Sequence, residues 1–427
     1  MKRYAEYKDS GTAWIGEIPA NWKLKKLKYY TTVNDEVLSE RTPAEYEFRY
    51  VDIGSVTLEN GIEQYQEMLF ENAPSRARRI VRKGDVIVST VRTYLKAVAS
   101  IQDDDDDVIV STGFAVIRSN KVDPRFMAYS LINHYFVEKV SSLSTGVSYP
   151  AINPSTLINI KNIVPPIETQ KHLASYLDRI IGTINSAISD KKQLIQLLNE
   201  HRTSIICSAI TRGISPNVET TDSKVDWIGK IPKHWRIVPA KALFSQSKET
   251  RHETDIQLTA SQKYGIISQE DYMDRQNYKI VLADKGLENW KHVEPNDFII
   301  SLRSFQGGLE ISYIPGCITW HYIVLKPKAG VEPEYFKWLF KSPRYIQALQ
   351  RTANFIRDGQ DLRFSNFVQV PLPLIPMDEQ KDIAEYLNKE TARIDSIIAD
   401  ITEQIEKLKE YRQSVISEVV TGKVAVE

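Results

Sequence analysis

The chain contains two copies of one long stretch, and each copy has an apolar residue at every seventh position. Residues 166–212 begin Pro-Ile-Glu-Thr-Gln and residues 376–422 begin Pro-Met-Asp-Glu-Gln, so that Gln170 corresponds to Gln380 at an offset of 210 residues. An apolar repeat over about four to five heptads predicts a coiled-coil seam and not only an amphipathic surface helix. Each helix of about 40 residues would be about 60 Å long. We expect the two helices to pair with each other.

The predicted seam takes every seventh residue of each helix. Its positions are Leu177, Ile184, Lys191, Leu198 and Ile205 in the first helix and Leu387, Ile394, Ile401, Leu408 and Val415 in the second. Most of the intermediate positions are expected to be filled by Ile180, Leu194, Ile397 and Tyr411. Lys191 interrupts the apolar seam opposite Ile401 in the alignment. A lysine stem can lie along apolar surface with its ammonium outside, so pairing is expected to survive.

A second repeat shows that the whole chain is a tandem duplication. The pattern Trp-Ile-Gly-x-Ile-Pro-x-x-Trp occurs at residues 14–22 and again at residues 227–235, an offset of 213. Each copy is therefore a globular region followed by a long helix. The expected division is a first globular domain at 1–164, a first helix at 165–212, a linker at 213–225, a second globular domain at 226–371 and a second helix at 372–427.

Each globular region reads as short strands with turns, which gives an α+β fold. The predicted strands are Arg49–Ile53, Asp85–Ser89, Val108–Val110 and Phe114–Ile117 in the first copy, and Asp297–Ser301 and Tyr322–Leu325 in the second. A proline in the first turn predicts short helices over 124–141 and 333–349. The fold class is thus a β-rich domain followed by a long helix, duplicated, with the helices pairing.

Composition narrows the class of protein. The 427 residues include 42% apolar and 26% charged residues, as in ordinary globular proteins, and too few consecutive apolar residues for a membrane span. Two cysteines and an N-terminus without an apolar signal region predict a reduced, cytoplasmic protein. The net charge of zero argues mildly against a free-standing nucleic-acid binder, but local basic patches remain compatible with it.

Motifs for catalysis are missing from the sequence. It contains no phosphate-binding loop, dinucleotide loop, serine elbow or His-Glu-x-x-His, and no Asn/Asp-Pro-Pro-Tyr/Phe signature of amino-methyltransferases. Asp85 and Asp297 stand at matching strand starts, where a turn-capping role is favoured over a nuclease carboxylate. His321 is expected to be structural, and the acidic run 103–107 to be a solvated turn.

Basic and amide side chains around the strand at 85–89 and its copy suggest a recognition surface. Arginine, lysine and amide groups suit phosphate contacts and the reading of base edges. An equally plausible interpretation is a charged edge that protects a sheet. The candidate DNA-binding residues are Arg76, Arg78, Arg79, Arg92, Tyr94 and Lys96 in the first copy, and Lys291, Arg303, Gln306, Arg357, Gln360 and Arg363 in the second.

Taken in order, these motifs resemble the specificity subunit of a Type I restriction–modification system over nearly the full length. The resemblance rests on the repeated tryptophan motif, on Lys-Gly-Asp-Val-Ile-Val-Ser at 83–89 with its weaker copy at 295–301, and on Pro-Pro-Ile-Glu-Thr-Gln-Lys at 165–171. It rests also on Ile-Pro-Met-Asp-Glu-Gln-Lys at 375–381 and on the helix ends Thr211-Arg212-Gly213 and Thr421-Gly422-Lys423.

The resemblance implies two target-recognition domains and an antiparallel pair of spacer helices. Each domain would read half of a bipartite sequence in double-stranded DNA through the major groove, without catalysis or a cofactor in this chain. Two methyltransferase subunits would bring S-adenosylmethionine, and ATP-dependent restriction and translocase subunits would use ATP and Mg²⁺. A related system could fuse methylase and nuclease in one partner. Two other classes remain open: a scaffold that binds protein or carbohydrate, and a metal-dependent nuclease acting through Asp85 or Asp297.

Overall fold

The computed structural model describes residues 3–102, 107–276, 286–352 and 362–426, and for Phe305 it describes the backbone alone. The chain divides into two compact units. Unit 1 is Met1–Lys192 with Thr402–Glu427, and unit 2 is Gln193–Ile401. Each unit therefore combines one globular copy with parts of both long helices. The expected domain bounds follow chain order, whereas the compact units divide each long helix.

Unit 1 is built largely from short strands. They are β1 (Tyr7–Asp9), β2 (Glu17–Pro19), β3 (Lys23–Lys26), β4 (Thr31–Val33), β5 (Glu47–Val51), β6 (Val56–Thr57), β7 (Gly61–Ile62), β8 (Gln66–Leu69), β9 (Ala77–Ile80), β10 (Val86–Ser89), β11 (Val98–Ser100), β12 (Val108–Ser111), β13 (Phe114–Ser119) and β14 (Lys161–Val164). The helices are α1 (Pro124–Ile132), α2 (His134–Ser142), α3 (Pro154–Leu157) and α4 (Ile167–Arg212), the last of which continues into unit 2.

Two four-stranded sheets form the core of this copy. One has the order β11-β10-β13-β4 and the other β8-β5-β12-β9. Neighbours in the first sheet are antiparallel, whereas β5 and β12 in the second are parallel. Along β10, Val86 and Val88 pack with residues of α1 and α2, and Ile87 packs with residues of the second sheet. The alternation of side chains along a strand thus places this sheet between a helical layer and the second sheet.

Unit 2 repeats this layered arrangement. Its strands are β15 (Thr220–Asp222), β16 (Lys230–Pro232), β17 (Arg236–Val238), β18 (Phe244–Gln246), β19 (Leu258–Ser261), β20 (Gly265–Ser268), β21 (Lys291–Val293), β22 (Phe298–Ile300), β23 (Glu310–Ile311), β24 (Gly316–Ile318), β25 (Ile323–Pro327) and β26 (Leu372–Leu374). Its helices are α5 (Ala240–Leu243), α6 (Gln269–Gln276), α7 (Ser304–Gly307), α8 (Pro333–Lys341), α9 (Pro343–Gln350), α10 (Phe364–Phe367) and α11 (Met377–Val420), the last of which ends in unit 1.

The central strand of unit 2 is β22, in a sheet of order β18-β25-β22-β23. Phe298 and Ile300 pack in the large core that includes α8, while Ile299 packs in a second cluster with residues of β19, β21, β24 and β25. This is the alternation seen along β10. Among the described residues, the helices do not combine the length and apolarity that crossing a membrane requires.

The predicted strands are confirmed to within one or two residues, and the predicted short helices differ in one respect. Each is two helices separated by a capping residue. The Asn133 side chain accepts a hydrogen bond from the Phe136 amide at 3.1 Å and begins α2, and Ser342 precedes Pro343 at the start of α9. The predicted linker at 213–225 contains strand β15, which pairs with β16 of the tryptophan motif.

Parts of the two long helices run antiparallel within unit 1. Arg412 Nη1 donates to Asn185 Oδ1 at 2.6 Å, and Lys191 Nζ donates to Gln404 Oε1 at 2.6 Å. Position numbers therefore fall along one helix as they rise along the other. Lys191 is only half-buried, so its ammonium reaches a polar partner at the edge of the seam, as the sequence predicts.

The expected intermediate seam positions are wrong. Leu194, Ile397 and Tyr411 are 45%, 37% and 49% exposed, and Ile180 is half-buried. The buried side chains instead fall at 177, 181, 184 and 188 in the first helix and at 387, 391, 394, 401 and 405 in the second. The steps are four or three residues, with one step of seven from 394 to 401. Apolar residues at both 180 and 181 made either register possible from the sequence alone.

A buried glutamine fixes the start of each long helix. Gln170 is 2% exposed; its Oε1 accepts from the Asp123 amide at 2.9 Å and its Nε2 donates to the Pro165 carbonyl at 2.7 Å. Gln380 repeats these contacts with the Glu332 amide and the Ile375 carbonyl. The shared Pro-x-x-x-Gln motif therefore ties each helix to the loop that precedes α1 or α8.

A glycine at the end of each long helix lies against a tryptophan of the repeated motif. Gly422, at φ +73°, ends α11; a Cβ there would lie 2.5 Å from Pro19 Cδ and 2.9 Å from Trp22 Cζ3. Gly213, at φ +75°, ends α4 and lies beside Trp235. Left-handed glycines of this kind terminate helices. The end of each long helix therefore packs against one copy of the tryptophan motif.

Replacing Gln170 by Ala should destabilise unit 1. The Asp123 amide and the Pro165 carbonyl would lose their buried partners, which costs about 2–4 kcal/mol in the free energy of unfolding. Chemical denaturation followed by circular dichroism measures this, and Gln193→Ala, at an exposed position of the same helix, should stay within about 0.5 kcal/mol of the unchanged chain. Equal effects of the two substitutions would show that the motif does not anchor the helix.

Candidate nucleic-acid interface

The turn before each central strand holds a buried aspartate. In unit 1, Asp85 is 1% exposed and accepts from the Arg82 amide at 2.8 Å. Arg118, on neighbouring strand β13, donates from Nε to Asp85 Oδ1 at 2.9 Å and from Nη2 to Oδ2 at 2.8 Å. Gly84 takes φ +85° in this turn. The carboxylate thus joins the turn to the sheet.

Unit 2 repeats the arrangement with other residues. Asp297 accepts from the Glu294 amide at 2.8 Å and pairs with Lys326 of β25 at 3.2 Å, and Asn296 takes the left-handed conformation at φ +76°. Burial raises the pKa of Asp297, against the lowering effects of the Glu294 amide and Lys326. Both aspartates are occupied in structural contacts, as the turn-capping interpretation expects.

The connection after β10 carries a strained, exposed arginine. Arg92 and Lys96 both have left-handed backbones, at φ +52° and +53°, on either side of a short turn. Such conformations cluster at functional sites. The guanidinium of Arg92 lies 5.3 Å from the centre of the Tyr149 ring. Tyr94, which stands between Arg92 and Lys96 in the sequence, is 56% exposed. The structure thus brings Arg92 and Tyr94 to an exposed connection beside a second aromatic residue.

Arg76 belongs to the same region through backbone contacts. The Arg76 carbonyl accepts a hydrogen bond from the Thr112 amide at 2.8 Å. The carbonyl of Gly113, the residue after Thr112, accepts at 2.8 Å from the Thr90 amide in the connection that follows β10. The Arg76 side chain is exposed, and it donates to Asp52 at 2.6 Å and to the Tyr50 hydroxyl at 3.2 Å. We call the exposed connections that carry Arg76, Arg92, Tyr94 and Tyr149 reading surface 1.

Sequence reasoning missed the loop that carries Tyr149. Residues 144–150 read Ser-Thr-Gly-Val-Ser-Tyr-Pro, and Val147 and Tyr149 are 101% and 67% exposed. The loop is held to the β10 connection because the Thr93 amide donates to the Pro150 carbonyl at 3.4 Å. The sequence signal that could have found it is an aromatic residue in a glycine- and serine-rich loop.

Three of the proposed basic residues of the first copy are engaged elsewhere. Lys96 forms an ion pair with Glu138 of α2. Arg78 lies over the Phe70 ring at 4.8 Å and donates to the Ala77 carbonyl. Arg79 is half-buried on edge strand β9, and burial lowers its pKa. Lys96 thus lies on a connection of reading surface 1 but is paired within the fold, and Arg78 and Arg79 lie on β9. The DNA contacts of all three stay a prediction.

The equivalent connection in unit 2 follows β22. Arg303 and Gln306 are both exposed there, on and beside α7. Burial raises the pKa of Tyr322, and the charge of Arg303 works against that rise. A Cβ added to Gly307 would lie 3.0 Å from Gln262 Nε2 on the β19–β20 turn. We call this group, Arg303 and Gln306 with the β19–β20 turn, reading surface 2.

The other proposed residues of the second copy lie apart or outside the described chain. Lys291 on β21 is half-buried, donates its Nζ to the Tyr322 carbonyl, and has its pKa lowered by burial. Arg363 is exposed at the start of α10. Arg357 and Gln360 lie outside the described residues. Their roles stay predictions.

A basic and aromatic group on reading surface 2 also escaped the sequence analysis. Tyr264 has Lys263 Nζ 5.0 Å and the Arg275 guanidinium 5.1 Å from its ring centre, and its hydroxyl accepts from Gln276 Nε2 at 3.2 Å. Lys263 and Tyr264 are neighbours in the β19–β20 turn, but Arg275 reaches them only through folding of α6.

His321, expected to be structural, is instead exposed and stacked on the Trp320 ring.

Two copies of one scaffold that expose different arginine, amide and aromatic side chains at equivalent connections define a duplicated recognition protein. A sequence profile of the family described as the Type I restriction modification DNA specificity domain matches residues 41–197 and 232–407. These two matches, one in each copy, cover most of the chain. The chain belongs to this family, and its two copies are DNA specificity domains.

Relatives span the whole chain or much of it. A Methanocaldococcus jannaschii protein with the provisional name type I restriction enzyme MjaX specificity subunit is 22% identical over 441 residues, covering 97% of this chain and 96% of that protein. The type I restriction enzyme EcoKI specificity subunit of Escherichia coli K12 is 19% identical over 324 residues, covering 71% of this chain and 66% of that protein. The scaffold that binds protein or carbohydrate is not favoured beside this family.

Solved structures share the fold. A chain in a structure concerned with complex assembly and conformational transition of the type I R-M system superposes with a TM-score of 0.70 at 20% identity, covering 95% of this chain and 99% of that one. The HsdS subunit from Thermoanaerobacter tengcongensis gives a TM-score of 0.51 at 21% identity, with coverage of 95% and 98%. The duplicated α+β fold expected from the sequence is confirmed.

Replacing Asp85 by Ala should act on stability. The change leaves Arg118 and the Arg82 amide without their buried acceptor, and breaking a buried ion pair costs about 3–5 kcal/mol in the free energy of unfolding. Denaturation with urea measures the loss, with Asp190→Ala at an exposed helix position as the control. An Asp85→Ala chain of unchanged stability would contradict the structural role and reopen the nuclease interpretation.

Proposed function

We propose that this chain directs partner enzymes to a bipartite DNA sequence, with each specificity domain reading one half-site in the major groove. The observation that carries the proposal is the difference between the two reading surfaces on one shared scaffold. Surface 1 offers Arg92, Tyr94 and Tyr149, whereas surface 2 offers Arg303, Gln306 and the group around Tyr264. Arginine and amide groups bind guanine and adenine edges, so different sets select different bases.

We propose further that the chain is not itself an enzyme. Asp85 and Asp297, the carboxylates that a nuclease would need, are buried in ion pairs within the fold. Methyl transfer would come from two methyltransferase subunits that hold S-adenosylmethionine, and restriction from ATP-dependent translocase subunits that use ATP and Mg²⁺. The setting would be the cytoplasm, where the DNA and these partners are found.

The long helices would act as the spacer between the half-sites. Two helices of about 60 Å could separate two readers by roughly one to two turns of DNA, at about 34 Å a turn. The neutral net charge of the chain is compatible with this role, because partner subunits could supply many of the phosphate contacts. The exposed Leu194 and Tyr411 would be available for partner subunits along the helices.

The direct test is to express the chain with its methyltransferase partner, purify the complex and sequence the DNA that it methylates. The proposal expects a stable complex and an asymmetric motif of two specified halves separated by unspecified bases. A complex that methylates a continuous site would contradict the separation of the readers. A chain that forms no complex and binds no DNA at low salt would contradict the function itself.

Substitutions on the two surfaces should affect different half-sites. In the assembled complex, Arg92→Ala should weaken discrimination at one base of one half-site by about 1–3 kcal/mol, and Arg303→Ala should do so in the other half-site. Competition binding with oligonucleotides that carry single-base changes measures both, and each variant is the control for the other. Loss of discrimination in the same half-site with both variants would contradict the assignment of the surfaces.

A further inference from the structure

Two histidines and three carboxylates meet beside β21 in unit 2. Glu249, His252 and His292 each offer a ligand atom, and these atoms lie within 4.8 Å of one another. Glu249 Oε1 is 3.1 Å from His252 Nε2, and Glu294 Oε1 is 2.9 Å from His292 Nε2. Two imidazole nitrogens and one carboxylate oxygen are the three protein ligands of many zinc sites, in which water takes the fourth position.

The third carboxylate stands behind one of these histidines. Asp255 Oδ2 lies 2.8 Å from His292 Nδ1, and the two side chains are only 6% and 4% exposed. A proton held on Nδ1 by this carboxylate makes Nε2 the nitrogen that can bind a metal ion. Metal-binding histidines are usually oriented by such a carboxylate, which also makes the imidazole a stronger ligand.

Backbone hydrogen bonds hold the segment 249–255 along β21. The His292 amide donates to the Glu249 carbonyl at 3.1 Å, and the Arg251 amide donates to the Trp290 carbonyl at 2.9 Å. The His252 amide donates to Asp255 Oδ2 at 2.8 Å. The donors are therefore assembled by the fold. Glu249 and His252 are also exposed, which leaves their side chains free to close around an ion.

The charge at this place favours a cation. Lys326 is 3.8 Å from Glu249, but it also pairs with Asp297 at 3.2 Å, so one ammonium is shared among several carboxylates.

The scaffold does not need this cluster. Strand β9 in unit 1 corresponds to β21, since Arg79 and Lys291 make equivalent bridges to Val37 and Thr250. Ile80 then stands at the position of His292, where it packs against the apolar cluster of the second sheet. An apolar residue therefore suffices for folding at this position, and the second copy carries a histidine with a carboxylate behind it.

We propose that Glu249, His252 and His292 bind one divalent transition-metal ion, with Zn²⁺ as the ion whose preferences match, and that Asp255 positions His292. The site is separate from the reading surfaces and independent of the proposed function. A bound ion would fasten the connection between β18 and β19 to β21 and so stiffen one side of unit 2. An ion that binds the folded state and not the unfolded state would stabilise the folded chain.

The test titrates the metal-free chain, without an affinity tag, with Zn²⁺ in a calorimeter. The expected result is one equivalent of Zn²⁺ per chain, with binding weakened at least about tenfold by Glu249→Gln and by His252→Ala. Both residues are exposed, so these variants should fold. His321→Ala, an exposed histidine of the same unit that lies outside the cluster, should bind like the unchanged chain.

Two further readouts separate a built site from loose binding. Zn²⁺ should raise the midpoint of thermal unfolding for the unchanged chain and for His321→Ala, but not for His252→Ala. Asp255→Asn should weaken Zn²⁺ binding about tenfold while the ligands stay in place. A chain that binds no Zn²⁺, or that binds it equally well with Glu249 and His252 replaced, would overturn the proposal and leave the cluster as two stacked histidines hydrogen-bonded to carboxylates.

Discussion

The contact between the end of each long helix and a tryptophan motif determines which segments of the chain pack together in each globular copy. Trp22 receives the end of α11, and Trp235 receives the end of α4. In the second copy the helix end and the motif are neighbours in sequence, while in the first copy they lie at opposite ends of the chain. Together with buried Gln170 and Gln380, these contacts give each globular copy segments of both helices. Unit 1 is thereby assembled from both ends of the chain, whereas unit 2 is one continuous stretch, 193–401.

Much of this fold follows from the sequence because its signals are local or repeated. Runs such as Val86–Ser89 are short, apolar and bounded by turns, and the two helices carry a strong seven-residue period. The seam register was harder, because apolar residues stand at both 180 and 181 and only tertiary packing chooses between them. Strand β15 was missed because Thr220–Asp222 carries no apolar signal and is a strand through pairing with β16.

The sequence indicates where in the chain the candidate surfaces lie, but not which side chains the fold brings together there. The sequence places polar residues after the two central strands, and Arg92, Tyr94, Arg303 and Gln306 are exposed there. It could not show that Lys291 turns inward, since the direction of a side chain depends on neighbours distant in sequence. The Tyr149 loop and the ring of Tyr264 with its cations were missed for the same reason. Divergence between the copies falls on these exposed connections, while the buried aspartate with its basic partner is kept in both.

The central claim is that the two copies read independently, each through its own surface. The most direct measurement exchanges residues 23–164 for the same region of another family member and sequences the DNA methylated by the complex. If the two copies read independently, one half of the recognised sequence changes while the other half and the spacer length stay the same. A change in both halves would contradict independent reading, and an unchanged motif would contradict the assignment of recognition to the globular copies.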